Sequence, residues 1–126
     1  MNFDWTEYLN LAEVIYEQRK SLAHEEACMR TAISRGYYAA YGAACNFVET
    51  RKELELDHSG DNHSEVSTHF NRSPIKERKE IGNWLVRLRA NRNKADYRND
   101  MKENITAMTE VSLRKARELI VLLNKL

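Results

Sequence analysis

The chain predicts an all-α fold, and three observations carry that prediction. Only four glycines and one proline occur in 126 residues, too few for the many tight turns of an all-β fold. Ala, Leu, Glu, Lys and Arg, the strong helix formers, dominate the remainder. Apolar residues recur three and four positions apart along four long segments. With mostly short links between those segments, the simplest architecture is one domain, residues 1–126, folded as an up-and-down bundle of four or five helices. A chain of this length buries about two thirds of its unfolded surface, enough for a core without metal or disulfide staples.

The first helix is expected to start at Asp4 as N-cap, with Glu7 three residues on, and to present Trp5, Tyr8, Leu9, Ala12, Ile15, Tyr16 and Leu22 on one broad face. A break near Ser21 to Glu25 leads to a long second helix over about 25–54, with Ile33, Tyr37, Ala40, Tyr41, Ala44, Phe47 and Val48 as its stripe. Gly36, Ala39, Gly42 and Ala43 crowd its middle, small residues that let a second backbone come close. From Leu56 to Asn71 the pattern turns polar and turn-rich, a flexible loop in which Val66 and Phe70 mark a short helical anchor. Ser73 and Pro74 read as N-cap and first residue of a third helix running to about Arg98. Asp100 with Glu103 opens the last, whose stripe is Ile105, Met108, Ser112, Ala116, Leu119, Ile120 and Leu123.

The third helix carries the main functional clue. Ile81, Trp84, Leu85, Leu88 and Ala95 define its apolar face, and Arg92 falls near the middle of that face. A guanidinium there needs a partner, and Asp96 is one turn on at i+4. Two readings are open: an interior ion pair that fixes packing, or the charged centre of a cleft. Charge is segregated along the chain. Residues 1–71 carry six Lys or Arg against twelve Asp or Glu, a net of −6, whereas residues 72–102 carry ten against four, a net of +6. The basic segment suits a polyanion such as RNA or a nucleotide, and equally the acidic half of a second subunit. Arg87, Arg89, Lys94 and Arg98 are its phosphate-contact candidates, or simply a solvated face.

Other chemistry is thinly represented. Cys28 and Cys45 lie too far apart along one helix to bridge, and their small and apolar neighbours make them core thiols of a reducing compartment. His58, His63 and His69, with Asp57 and Asp61, are spaced five and six residues apart in a loop and match no compact zinc pattern; no metal or cofactor is expected. There is no glycine-rich phosphate loop, serine nucleophile motif, CxxC pair or metalloprotease helix. The start MNFDWTEYLN lacks a basic region followed by an apolar run, and no stretch of about 18 apolar residues occurs. The expectation is a cytoplasmic protein with no membrane segment.

The segment from Ser34 to Ala44 reads SRGYYAAYGAA, and the third helix ends in RNKADY from Arg92 to Tyr97, with SGDNHSEV between them. This combination resembles the small bacterial and archaeal branch of the HEPN superfamily, which carries an SRxYYAxxxAA helix and a downstream ADY. The resemblance implies a bundle that forms a homodimer with the motif end of the third helix at the interface. It also implies a toxin or effector acting as a metal-independent endoribonuclease, paired with a nucleotidyltransferase antitoxin. Arg92 and Asn93 match the start of the family's motif. The histidine expected four to six residues after the arginine is replaced by Asp96, Tyr97 and Arg98. Imidazole suits proton transfer near neutrality, whereas tyrosine near pKa 10 and aspartate near 4 do not. The residues assigned to the site are therefore Arg92 to hold a phosphate, Asn93 to orient it, and Asp96 and Tyr97 to tune it. Tyr97 is also the candidate for adenylylation by such a partner. His63 or His69 is a candidate replacement for the missing imidazole. The competing classes are an inactive RNA- or nucleotide-binding module and a structural dimerising subunit that docks on a partner protein. Tyr37, Tyr38 and Tyr41 read as core and dimer packing rather than substrate stacking.

Overall fold

A computed structural model describes residues 2–59 and 62–126, and those residues form six helices and no strand. They are α1 (Thr6–Glu17), α2 (Arg19–Leu22), α3 (Glu25–Thr50), α4 (His63–Asn71), α5 (Lys76–Tyr97) and α6 (Ile105–Lys125). The expected four long helices are α1, α3, α5 and α6; α2 is one turn after a bend at Gln18. No helix among the described residues is long and apolar enough to cross a membrane.

Side-chain contacts fix the helix directions. Ser34 near the start of α3 meets Asp96 near the end of α5, Asn91 of α5 meets Ser112 of α6, and Glu13 of α1 meets Arg117 of α6. These neighbours are antiparallel. Thr106 and Met29 meet at one end of the α3–α6 pair, and Arg51 and Leu126 at the other, so α3 and α6 run parallel. This is up-and-down order, with α3 and α6 packed across the diagonal and α1 and α5 out of contact. Gly36 opens that diagonal: a Cβ there would stand 3.0 Å from the Leu113 side chain. At Gly42 the close neighbour is the Trp5 indole, so the small residues of α3 admit side chains here rather than a second backbone.

Several boundaries differ from those expected. Asp4 does cap α1, its Oδ1 accepting the Thr6 N–H at 3.0 Å. The second long helix ends at Thr50, not near 54, in a Schellman arrangement: Lys52 N–H donates to Glu49 O and Glu53 N–H to Val48 O, with Lys52 at φ 58°. The polar stretch after it is not all loop, because α4 buries Val66 and Phe70 and packs on α5. Ser73 accepts the Ile75 N–H but α5 begins at Lys76. The last helix starts at Ile105, capped by Asn104 rather than Asp100, while Glu103 is engaged by Lys94 and Arg98. Leu22, expected on the buried face, is exposed because the chain bends before it.

Candidate anion-binding site on helices α3 and α5

Helical periodicity brings Arg92 to the α3 side of α5. Its Nε lies 2.9 Å from Asp96 Oδ2, at an angle too poor for a hydrogen bond, and the side chains are 15% and 27% exposed. Ser34 donates to the same Asp96 oxygen at 3.2 Å, and an Arg92 terminal nitrogen donates to Asn93 Oδ1 at 2.8 Å. The Arg92 guanidinium carbon stands 5.1 Å from the centre of the Tyr38 ring and 5.5 Å from that of Tyr97. Arg92, Asn93, Asp96 and Tyr97 are thus one constellation, with Tyr97 72% exposed.

The four candidate phosphate-binding cations do not act together. Arg87 is exposed and lies over Trp84. Lys94 and Arg98 both reach Glu103, at 3.1 and 3.4 Å. The Arg98 carbonyl, with that of Ala95, accepts Arg30, which closes the C-terminal end of α5. Arg89, expected with the solvated group, is half-buried; its Nε is buried without a hydrogen-bond partner, and its charge acts on the Tyr37 and Tyr41 hydroxyls. It turns inward because α3 presents two phenol rings at that level.

Arg35, which the sequence reading passed over, belongs to the same place. Its guanidinium carbon lies 5.0 Å from the centre of the Tyr38 ring and 5.3 Å from that of Tyr8. Tyr38 therefore carries two guanidinium groups. No ion pair among the described residues engages Arg35 or Arg89. The sequence signals for Arg35 are its place as the arginine of the SRxYYAxxxAA segment and its spacing from Tyr38 at i+3.

The three loop histidines go to different partners. His69 meets Glu53 at 2.7 Å, and Arg78 meets the same carboxylate at 2.7 and 2.9 Å. The Arg78 hydrogen bonds, helped by His69, hold the Glu53 carboxyl down at about 2. His58 pairs with Glu49 at 2.9 Å. His63 joins the tyrosines: it is hydrogen-bonded through Nδ1 to the Tyr37 hydroxyl, stacks on Tyr41 at 4.2 Å between ring centres, and stands 6.1 Å from Tyr38. Burial pushes the Tyr37 and Tyr41 hydroxyls well above their ordinary range, so both stay protonated. Burial likewise raises the Cys45 thiol to about 11, and Cys28 is buried, so neither is a ready nucleophile. Asp57 holds the Ser59 N–H, and Asp61 lies outside the described residues. No group of three metal-ligating side chains forms among the described residues.

Two concavities border these elements. The larger, about 770 Å³, runs along α1 and α6 and contains none of the constellation; its Arg117 and Arg114 are paired with Glu13 and Glu118. The second, about 460 Å³, lies between the N-terminal segment, α3 and the start of α4, with Tyr38, Tyr41 and His63 in its lining. The second is the one continuous, through Tyr38, with Arg35 and Arg92. No family model, curated protein or solved structure matches the chain.

Proposed function

We propose that the face formed by α3 and the C-terminal end of α5 binds phosphate, as RNA or a nucleotide, in a HEPN-like homodimer. On this reading the chain is a toxin or effector partnered by a nucleotidyltransferase antitoxin. The reading rests on the SRxYYAxxxAA and ADY resemblance together with one physical observation: Arg35, which shares the Tyr38 ring with Arg92, and Arg89, one turn before Arg92, form no ion pair among the described residues. Unneutralised guanidinium groups held next to aromatic rings suit a polyanion with stacking bases. Arg92 is the central anion contact, Asn93 and Asp96 hold its guanidinium in place, and exposed Tyr97 supplies a ring.

In metal-independent RNA scission the 2′-hydroxyl attacks phosphorus, its proton passes to a base, and an acid protonates the departing 5′-oxygen, leaving a 2′,3′-cyclic phosphate. On this reading Arg92 neutralises the non-bridging oxygens, and His63, hydrogen-bonded to the Tyr37 hydroxyl and, like Arg92, beside Tyr38, is the imidazole candidate for one of the two proton transfers. A binding module without turnover is the second reading, favoured by Asp96, Tyr97 and Arg98 standing where the motif histidine is expected.

Incubating the protein and Arg92→Ala with total RNA in EDTA separates the two. Cleavage to cyclic-phosphate ends by the wild type alone selects the nuclease. Salt-sensitive binding without cleavage selects the module, and no RNA or nucleotide binding at low salt overturns the proposal.

A further inference from the structure

The cleft of about 460 Å³ has a composition that the phosphate contacts alone do not require. One wall comes from Phe3 and Trp5 in the N-terminal segment, whose rings meet edge to face at 5.1 Å. The other comes from Tyr38 and Tyr41 of α3 and His63 of α4, with His63 stacked on Tyr41, the ring planes 18° apart. Gly42 lies in the lining between them, and the Trp5 ring rests on it so closely that a Cβ would fall 2.1 Å from the indole. An aromatic-lined enclosure of this size has room for a planar ring system and one sugar but not for a stacked duplex.

Charge points the same way. Tyr38 lines the cleft, and the Arg35 and Arg92 guanidinium groups lie over its ring at 5.0 and 5.1 Å. A ligand leaving the aromatic enclosure past Tyr38 meets two cations. Polar groups at the edge include Asn46 and Glu49, an amide whose oxygen accepts from Asn2 and Thr50 and a carboxylate paired with His58, so a heterocycle rim that pairs with them must compete with those contacts.

We infer that this cleft receives one unstacked base of a nucleotide, free or within single-stranded RNA, with the phosphate of that nucleotide on Arg35 and Arg92. The inference rests on the phosphate-binding reading above and adds what that reading lacks: a place for the base, and hence a requirement for single strands. Tyr38 is the shared wall between the base and phosphate subsites. Trp5 is a built-in reporter, since the other tryptophan, Trp84, is on α5 against Lys115 and Arg87.

The test uses the full chain carrying Trp84→Phe, so that emission comes from Trp5. Adenosine 5′-monophosphate is titrated in, with ribose 5-phosphate as the baseless probe, and single-stranded oligoadenylate is compared with its duplex. The nucleotide and the single strand are expected to quench Trp5, with ribose 5-phosphate and the duplex at least about tenfold weaker. Arg35→Gln is expected to weaken the nucleotide by about tenfold, and Phe3→Ala, at a half-exposed wall position whose ring contacts are Trp5 and Tyr8, to weaken it with only a small drop in melting temperature. No quenching at millimolar nucleotide, or equal binding by ribose 5-phosphate or by duplex, overturns the inference. If salt-sensitive RNA binding that needs Arg92 survives such a result, the base subsite alone has failed. If that binding is absent too, the phosphate-binding reading has failed with it.

Discussion

Helix α5 carries two arginine–carboxylate pairs of nearly equal length that do different work. Near its start, Arg78 grips Glu53 through two hydrogen bonds while His69 takes the same carboxylate, so one cluster ties α5 to the residues after α3 and to α4. Near its end, Arg92 meets Asp96 within the same helix, four residues away, and reaches the second element, α3, only through the single Ser34 hydrogen bond to Asp96 and the Tyr38 ring. The first carboxylate is surrounded by positive partners. At the second, Arg92 shares the Tyr38 ring with Arg35, which forms no ion pair among the described residues. Distance alone does not separate a structural lock from a binding centre; the separation of the partners along the chain and the local balance of charge do.

The largest effect is expected at the lock. Glu53→Gln removes a bidentate partner of a side chain only 14% exposed and should cost about 2 to 3 kcal/mol in urea unfolding. The wild type should show the matching pH dependence. Because the folded-state carboxyl titrates at about 2, below its ordinary 4.5, the stabilisation is complete above pH 4.5 and fades as the pH falls toward 2. Glu53→Gln should lack that acid-sensitive component. An identical acid profile in both proteins would show that the lock has been misassigned.

Gly82→Ala tests the same end of α5 by packing. Alanine normally favours a helix by about 1 kcal/mol over glycine. Here a Cβ would lie 2.4 Å from Asn71 Oδ1 and 2.8 Å from its backbone nitrogen, so α4 must move. The substitution should destabilise by about 1 to 3 kcal/mol and speed amide exchange in α4 first. A gain in stability would mean that α4 does not sit where the lock requires.

The smallest effect belongs to the binding end. Lys94→Ala breaks a half-buried pair with Glu103, which keeps Arg98 as a partner, so its melting temperature should stay close to that of the wild type. RNA affinity should fall less than for Arg35→Gln, measured at equal salt, because Lys94 is already neutralised. A larger loss at Lys94 would move the phosphate contacts from the α3 face to the α5–α6 link.

Local pattern made part of this legible in the sequence. Apolar spacing gives the four long helices, and the position of Arg92 on the apolar face, with Asp96 at i+4, gives the central pair. What the sequence hides is set by tertiary contact. The end of α3 is marked by Lys52 in a left-handed conformation, where a sequence rule looks for glycine. Helix α4 is nine polar-rich residues whose stability comes from burying Val66 and Phe70, not from propensity. Arg89 reads as one more surface cation until α3 places Tyr37 and Tyr41 beside it. Arg35 gains meaning only when Arg92 arrives over the same ring from another helix.

The contrast between the two ends of α5 is tested most directly by measuring melting temperature and single-stranded RNA affinity together for Arg78→Ala and Arg92→Ala, below both melting transitions. Arg78→Ala should melt well below the wild type and bind RNA as the wild type does, while Arg92→Ala should melt close to the wild type and lose RNA. Arg92→Ala unfolding as readily as Arg78→Ala, with RNA affinity intact in the folded fraction, would contradict the account.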